Sequence, residues 1–275
     1  MLFRSLVVVC TPASTNLELL RSCAAKGITA AFLTSAGYAE AGEAGAAAQA
    51  ELVALGRELG LLIAGPNGQG VVSTPVDLCA QMVAPFPPRG RIGVASQSGN
   101  FVSSFMNWAT QSGVGVSRAV SAGNAASVTV PEFIDFYADD PETAVGLAYV
   151  EGIEDGRGFF ERMKEITPRK PVVVVKGGAT AGGARAAASH TGSLASDDRV
   201  FDGAMRQAGV VRAPTVESAF EVAASFATQP LPKGPNTVVL TTAGGWGVVT
   251  ADAITASELH LLELPADLLA EIDTK

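Results

Sequence analysis

Short apolar runs alternate with helix-patterned stretches along most of this chain, and that alternation restricts the fold more than any other feature. Runs at 7–10, 29–33 and 61–64 are separated by helical patterns over 16–25 and 46–59, and the third run ends at Gly65-Pro66-Asn67-Gly68. A strand that reaches its parallel neighbour needs a crossover, usually a helix, so this rhythm predicts a doubly wound parallel sheet. Pro85, Pro87, Pro88 and Gly90 interrupt it. It then restarts, with strands expected at 91–95, 117–121, 144–150 and 171–175 and helices at 100–111, 130–137, 158–166, 196–208 and 215–227. A second break at 229–235, rich in proline, precedes a strand at 237–242 and a helix from residue 245. The reading is an α/β chain in three units: 1–84, 91–228 and 236–275.

Composition narrows the function. Of 275 residues 48% are hydrophobic and 17% charged, enough apolar surface for sizeable cores. Thirty glycines and only 6% aromatics suit tight packing of helices on sheets. A net charge of -8 argues against a nucleic-acid binder, although backbone amides can still form a local anion site. Cys10, Cys23 and Cys79 are far apart and show no metal-ligand spacing, so they read as reduced, mostly buried thiols of a cytoplasmic protein that holds no metal. The apolar run at 6–10 is too short for a membrane span and lacks a cleavage pattern, so it reads as a buried strand.

Ligands of open parallel sheets sit at the carboxyl ends of strands. There, Ala95-Ser96-Gln97-Ser98-Gly99-Asn100 joins a strand to a helix, and the amides of a helix start favour an anion such as phosphate. The loop lacks the lysine of a Walker A motif, and by itself it reads equally well as an ordinary capped helix. Thr241-Thr242-Ala243-Gly244-Gly245-Trp246-Gly247 repeats the pattern, where Gly-Gly also has a plain packing explanation. One of two histidines, His190, follows the strand at 171–175 among small residues, with no cysteine or second histidine near enough to suggest zinc. A solvated loop histidine is the bland reading; the sharper one is a nucleophile that carries a phosphoryl group. Such an imidazole needs its second nitrogen oriented, and Glu151, at the end of the neighbouring strand, is placed to do it.

Together these residues resemble the NDP-forming acyl-CoA synthetases, including the α subunit of succinyl-CoA synthetase. The matching stretches are Val9-Cys10-Thr11-Pro12, Thr34-Ser35-Ala36-Gly37-Tyr38-Ala39-Glu40, Gly65-Pro66-Asn67-Gly68-Gln69-Gly70 and Ala95-Ser96-Gln97-Ser98-Gly99. Further on come Ser121-Ala122-Gly123-Asn124, Tyr149-Val150-Glu151-Gly152, Ser189-His190-Thr191-Gly192-Ser193 and Gly244-Gly245-Trp246-Gly247. The resemblance implies a Rossmann-like CoA-binding domain, a flavodoxin-like CoA-ligase domain and the start of a second flavodoxin-like domain. It implies that acyl-CoA and phosphate give acyl phosphate and CoA, that His190 takes the phosphoryl group, and that Glu151 steadies the imidazole. Phosphate would be held by Ser96, Gln97, Ser98, Gly99, Asn100, Gly192, Ser193, Gly244 and Gly245, using two helix starts. Thr11, Pro12, Ser35, Gly37, Pro66 and Asn67 map to the pantetheine side of coenzyme A. ADP or GDP, or ATP with magnesium, would bind an ATP-grasp domain or subunit, the implied partner.

Three departures from the family pattern stand out. The first β-α-β segment, with the loop for the CoA phosphates, is not seen ahead of Leu6; Gly68 replaces the usual cysteine; and the third unit is short, with no ATP-grasp segment. The resemblance therefore implies a piece of a longer enzyme that would self-associate, bind CoA weakly and not complete the reaction alone. A CoA- or acyl-CoA-sensing regulatory module is the second reading, against which His190 and Glu151 count because a sensor needs no phosphoryl carrier. A dinucleotide-binding Rossmann protein is the third, and no GxGxxG follows a strand to support it.

Overall fold

In a computed structural model of the chain, describing residues 5–83, 85–153, 155–180, 182, 183, 185 and 197–274, the first apolar run becomes strand β1 (Leu6–Val9). Helix α1 (Asn16–Ala24), β2 (Ala30–Leu33), α2 (Glu43–Leu59) and β3 (Leu62–Ala64) follow, and the three strands form a parallel sheet in the order β1-β2-β3. Val8, Phe32 and Ala64 lie in register across it. Helix α2 stops at Gly60, whose φ of 65° is open to glycine at little cost, and the chain turns there into β3. Val9, Leu20, Leu33, Leu52, Leu55 and Ile63 make the core between sheet and helices.

The next two strands, β4 (Gly70–Ser73) and β5 (Leu78–Gln81), form an antiparallel hairpin. This hairpin falls within residues 1–84, the first unit of the sequence reading, yet β4 pairs with β7 (Val116–Ser121) and so extends a second, seven-stranded sheet. The rest of that sheet is β6 (Arg89–Ser96), β8 (Val145–Val150), β9 (Val172–Lys176) and β10 (Val211–Arg212). Its order is β10-β9-β8-β6-β7-β4-β5. The parallel strands β7-β6-β8-β9-β10 reproduce the flavodoxin order 2-1-3-4-5, in which the chain reverses direction between the first and third strands.

Helices cover both faces. On one side α3 (Gly99–Ser112) and α7 (Val216–Thr228) pack with Phe105, Phe220 and Leu147. On the other, α4 (Val130–Asp139), α5 (Gly156–Ile166) and α6 (Asp198–Gln207) enclose Ile134, Met163, Val174 and Phe201. Because both faces are covered, β8 and β9 are buried at every position and read as apolar runs, broken only at Lys176, the last residue of β9. Each fully buried valine or leucine there contributes about 1.5–3 kcal/mol relative to an exposed one.

Both sheets belong to one compact unit, residues 1–229, and residues 230–275 form another. The second contains β11 (Asn236–Thr237), α8 (Gly244–Thr255), β12 (His260–Leu261) and α9 (Ala266–Asp273), with β11 and β12 parallel. The strand expected over 237–242 pairs only at Asn236–Thr237. The cysteine reading is corrected too: Cys23 is buried, but Cys10 and Cys79 are exposed, the first just past the end of β1 and the second on the edge strand β5. Among the described residues no helix is long and apolar enough to cross a membrane, and no group of histidine, cysteine and carboxylate side chains could hold a metal ion.

Candidate active site

A doubly wound sheet opens a crevice where neighbouring strands send their connections to opposite faces, here at the carboxyl ends of β6 and β8. The two loops of interest leave from those ends. After β6, the Ser96 hydroxyl is buried and turned on its own loop, donating to the Ser98 carbonyl at 2.7 Å and accepting from the Ser98 amide at 3.0 Å. Ser98 then precedes α3 without capping it. The first-turn amides of α3 have no acceptor within the helix and no side-chain cap, so they present partial positive charge. The helices α4, α5 and α7 differ, because Thr129 with Glu132, Asp155, and Thr215 with Ser218 fill their first turns.

After β8 comes Glu151. The Gln97 side chain grips the backbone here: its Oε1 accepts from the amides of Glu151 and Gly152 at 2.5 and 3.2 Å, and its Nε2 donates to the Gly152 carbonyl at 2.9 Å. The Gln97 amide itself donates to the Tyr149 carbonyl. Sequence reasoning placed Gln97 among the phosphate ligands; its groups are instead spent on holding the Glu151 loop. Asn100 is likewise engaged, accepting from Gln69 Nε2 at 3.0 Å.

The Glu151 carboxylate is hydrogen-bonded to Tyr149, whose phenol is pushed well above its ordinary pKa by burial and by the charge and hydrogen bond of Glu151. Phe101 of α3 packs on the Tyr149 ring with centroids 3.9 Å apart and planes tilted by 32°. Gly177, just past β9, completes this corner: a Cβ there would lie 2.6 Å from the Tyr149 hydroxyl and 3.3 Å from Glu151 Cγ. His190, Gly192 and Ser193 lie outside the described residues. Gly244 and Gly245 begin α8 in the second unit, where Ala243 precedes the helix without a side-chain cap.

The six residues assigned to coenzyme A lie at or near the carboxyl ends of β1, β2 and β3, and buried Asn16 ties several together. Asn16 Nδ2 donates to Ser35 Oγ at 3.1 Å and to the Tyr38 hydroxyl at 2.8 Å, while its Oδ1 accepts from Thr11 Oγ1 at 3.1 Å. Ser35 Oγ donates to the Thr11 carbonyl, and the Asn67 amide donates to the Ser35 carbonyl. Gly37 gives its amide to Glu40 Oε1, and the Pro66 carbonyl accepts from the Asn124 amide. Pro12 and Thr11 line a shallow hollow of about 360 Å³ with Glu18 and Leu19.

Only Asn67 of the six also lines the larger cleft, about 750 Å³, which runs to Gln97 and Glu151 past Asn124 and Arg162. Glu40 borders the same cleft. Burial opposes its charge, but hydrogen bonds from Asn124 and the amides of Gly37, Glu40 and Tyr38 outweigh that, and its pKa lies below the usual value. Asn16, Tyr149, Gln69 and Gly177 were not assigned any role from sequence. Most of their partners come from other elements, such as Phe101 for Tyr149 and Asn100 for Gln69, and only the neighbouring motifs mark the region.

The departure at Gly68 has a packing counterpart. A Cβ at this position would sit 2.6 Å from both the buried Phe32 ring and the Ser121 carbonyl. Restoring a side chain overpacks the seam between the sheets, so Gly68→Cys is expected to destabilise by about 1–3 kcal/mol. A fall in Tm of several degrees by differential scanning fluorimetry would bear this out, and an unchanged Tm would refute it.

The comparisons with known proteins agree with this geometry. Residues 89–226 match the succinyl-CoA ligase like flavodoxin domain. The chain is 39% identical over 258 residues to the α subunit of acetate–CoA ligase [ADP-forming] I of Pyrococcus furiosus, covering 94% of this chain and 56% of that one. To acetate–CoA ligase [ADP-forming] I of Archaeoglobus fulgidus it is 40% identical over 248 residues, which is 90% of this chain and 36% of the relative. The fold superposes with a TM-score of 0.90 and 33% identity on the dinucleotide forming acetyl-coenzyme A synthetase 1 of Ca. Korarchaeum cryptofilum, in complex with phosphate and ADP, over 98% of this chain and 58% of the other. The chain thus spans about half the length of the first of these relatives and about a third of the second. With its flavodoxin-order sheet, its matched ligase domain and these relatives, the chain belongs to the NDP-forming acyl-CoA synthetase family.

Proposed function

We propose that this chain supplies the CoA-ligase portion of an NDP-forming acyl-CoA synthetase, interconverting acyl-CoA, phosphate and NDP with carboxylic acid, CoA and NTP. The observation that carries the reading is Glu151 fastened at the sheet's reversal point, beside the uncapped start of α3. In the proposed sequence phosphate attacks the thioester carbonyl and CoA leaves as its thiolate, forming acyl phosphate. An imidazole nitrogen of His190 then attacks phosphorus, the carboxylate departs, and a second transfer to ADP or GDP restores the histidine.

In this reading the uncapped first turn of α3, which begins at Gly99, offers its amides to the phosphate, and Gly192 and Ser193 beside His190 in sequence are further candidate donors. A helix start acts as about half a positive charge, so it offsets part of a phosphate dianion. The polar strand ends at Thr11, Ser35 and Asn67, beside Pro12, Gly37 and Pro66, fit a pantetheine arm entering toward the 750 Å³ cleft. The nucleotide and magnesium belong to an ATP-grasp partner, in keeping with the α subunit that the Pyrococcus relative's name denotes. The separated thiols favour the cytoplasm. No observation adds weight to the regulatory reading.

The test is to mix the complete enzyme with acyl-CoA and phosphate and trap acyl phosphate with hydroxylamine. Hydroxamate and free thiol that form faster with both enzyme and phosphate than by direct attack of hydroxylamine on acyl-CoA support the reading; CoA binding with no such phosphate-dependent excess overturns it. A second expectation concerns Gln97, whose side chain holds the Glu151 loop. Gln97→Ala removes three hydrogen bonds and is expected to lower kcat by about 10–100-fold, since small misplacements near the chemistry carry such penalties. Steady-state kinetics at saturating phosphate check this, and a kcat equal to that of the parent would reject it.

A further inference from the structure

A partly buried ionic cluster lies on the Phe201 side of β9, away from the side on which Tyr149 packs, and the reaction outlined above makes no use of it. Lys176 ends β9 with its side chain only 1% exposed, and its Nζ stands 3.8 Å from Asp198 Oδ1, at the start of α6. Asp198 is shared: Arg212 Nη2 of β10 reaches the same oxygen at 2.6 Å, and Arg212 Nη1 reaches Asp202 at 3.2 Å. The Phe201 ring has the Lys176 ammonium and the Arg212 guanidinium each 5.5 Å from its centroid. Burial, and secondarily Arg212, push the Lys176 pKa down against the pull of Asp198.

The position of this cluster along the chain gives it a meaning beyond stability. Lys176 is the last residue before the segment that carries His190, and Asp198 opens the helix at which that segment ends. Nζ also donates to the Gly177 carbonyl at 3.4 Å, and Gly177 packs against Tyr149 and Glu151. One side chain therefore links Gly177, the first residue after β9, to the start of α6, where the segment returns. We propose that Lys176 and Asp198 clamp the two ends of the His190 segment and are positioning residues for phosphoryl transfer, an inference that rests on the function proposed above.

The test uses the complete enzyme with Lys176→Met, Asp198→Asn, the double variant and Lys176→Arg. Single-turnover phosphorylation of His190 is expected to slow by about tenfold or more in each single variant at unchanged KM for CoA, because misplacement affects the chemical step rather than binding. The double variant should be no slower than the worse single one, as for two groups acting through one contact. Lys176→Arg should recover most of the rate. Hydrogen exchange in peptides covering 172–180 and 197–203 should rise in Lys176→Met and Asp198→Asn alike. Unchanged exchange in both stretches overturns the clamp, as do additive losses of rate. Asp198→Asn alters a partly exposed side chain and keeps the test usable if Lys176→Met fails to fold. Should the parent enzyme transfer no phosphoryl group to His190, the proposed function fails, and the exchange result still decides the clamp.

Discussion

Mixed with magnesium-ATP and its nucleotide-binding partner, the complete enzyme is expected to acquire a phosphoryl group on His190 that is labile to acid and stable to base. That lability pattern distinguishes a phosphoramidate from a phosphoserine or an acyl phosphate. His190→Ala should take up no label, and overall turnover should fall by at least about three orders of magnitude, because no other side chain replaces a covalent carrier. Partial reactions sharpen the result. The same variant should also fail to pass phosphate from acyl-CoA to ADP, while still binding CoA with the affinity of the parent. The other histidine, His260, lies on β12 in the second unit and provides an internal control. Label on His260, or label that persists in His190→Ala, would remove the histidine from the mechanism.

Much of the fold was legible because strands covered on both faces leave long apolar runs, and several helices between them, α4 among them, carry their own caps. Thr129 with Glu132 is such a cap, two residues in one turn, visible without any knowledge of the sheet. The hairpin Gly70–Gln81 was not legible. Its strands are short, pair antiparallel at the sheet edge, and flank a Thr74–Val76 turn that breaks any periodicity. The strand order was hidden for a different reason. Whether β8 lies beside β6 or β7 depends on which helix covers which face, and local patterns do not record that.

The site divided along the same line. Motif residues such as Ser96, Asn67 and Glu151 sit at strand ends, as a parallel sheet requires, so sequence found their neighbourhood. What each side chain does depends on long-range partners. Gln97 reaches a loop 54 residues away, and Asn16 ties together groups 5 to 22 residues distant. Lys176 reads as one more residue of a buried strand until Asp198 and Arg212 are brought beside it.

Glu151→Gln carries the second large expectation, and the structure indicates why it should isolate chemistry from folding. Gln97 grips the backbone of residues 151 and 152 rather than the carboxylate, so the loop keeps its anchor when the side chain becomes an amide. The Tyr149 phenol, held protonated by burial and by its neighbour, can donate to an amide oxygen as it does to a carboxylate. What the substitution removes is the negative charge that would stabilise a developing imidazolium on His190. In the analogous hydrolase triad, loss of the orienting carboxylate costs about four orders of magnitude in rate, which sets an upper bound here. Glu151→Gln is therefore expected to keep the parent Tm and the KM for CoA while single-turnover phosphorylation of His190 slows by about two to four orders. Tyr149→Phe serves as the graded companion: it keeps the charge but removes one hydrogen bond to it, and a loss nearer about tenfold is expected. Rapid-quench measurement of phosphohistidine in both variants gives the comparison. Near-parental rates in Glu151→Gln would reject the role of Glu151, and a Tyr149→Phe loss equal to that of Glu151→Gln would mean that orientation of the carboxylate, not its charge, limits the transfer.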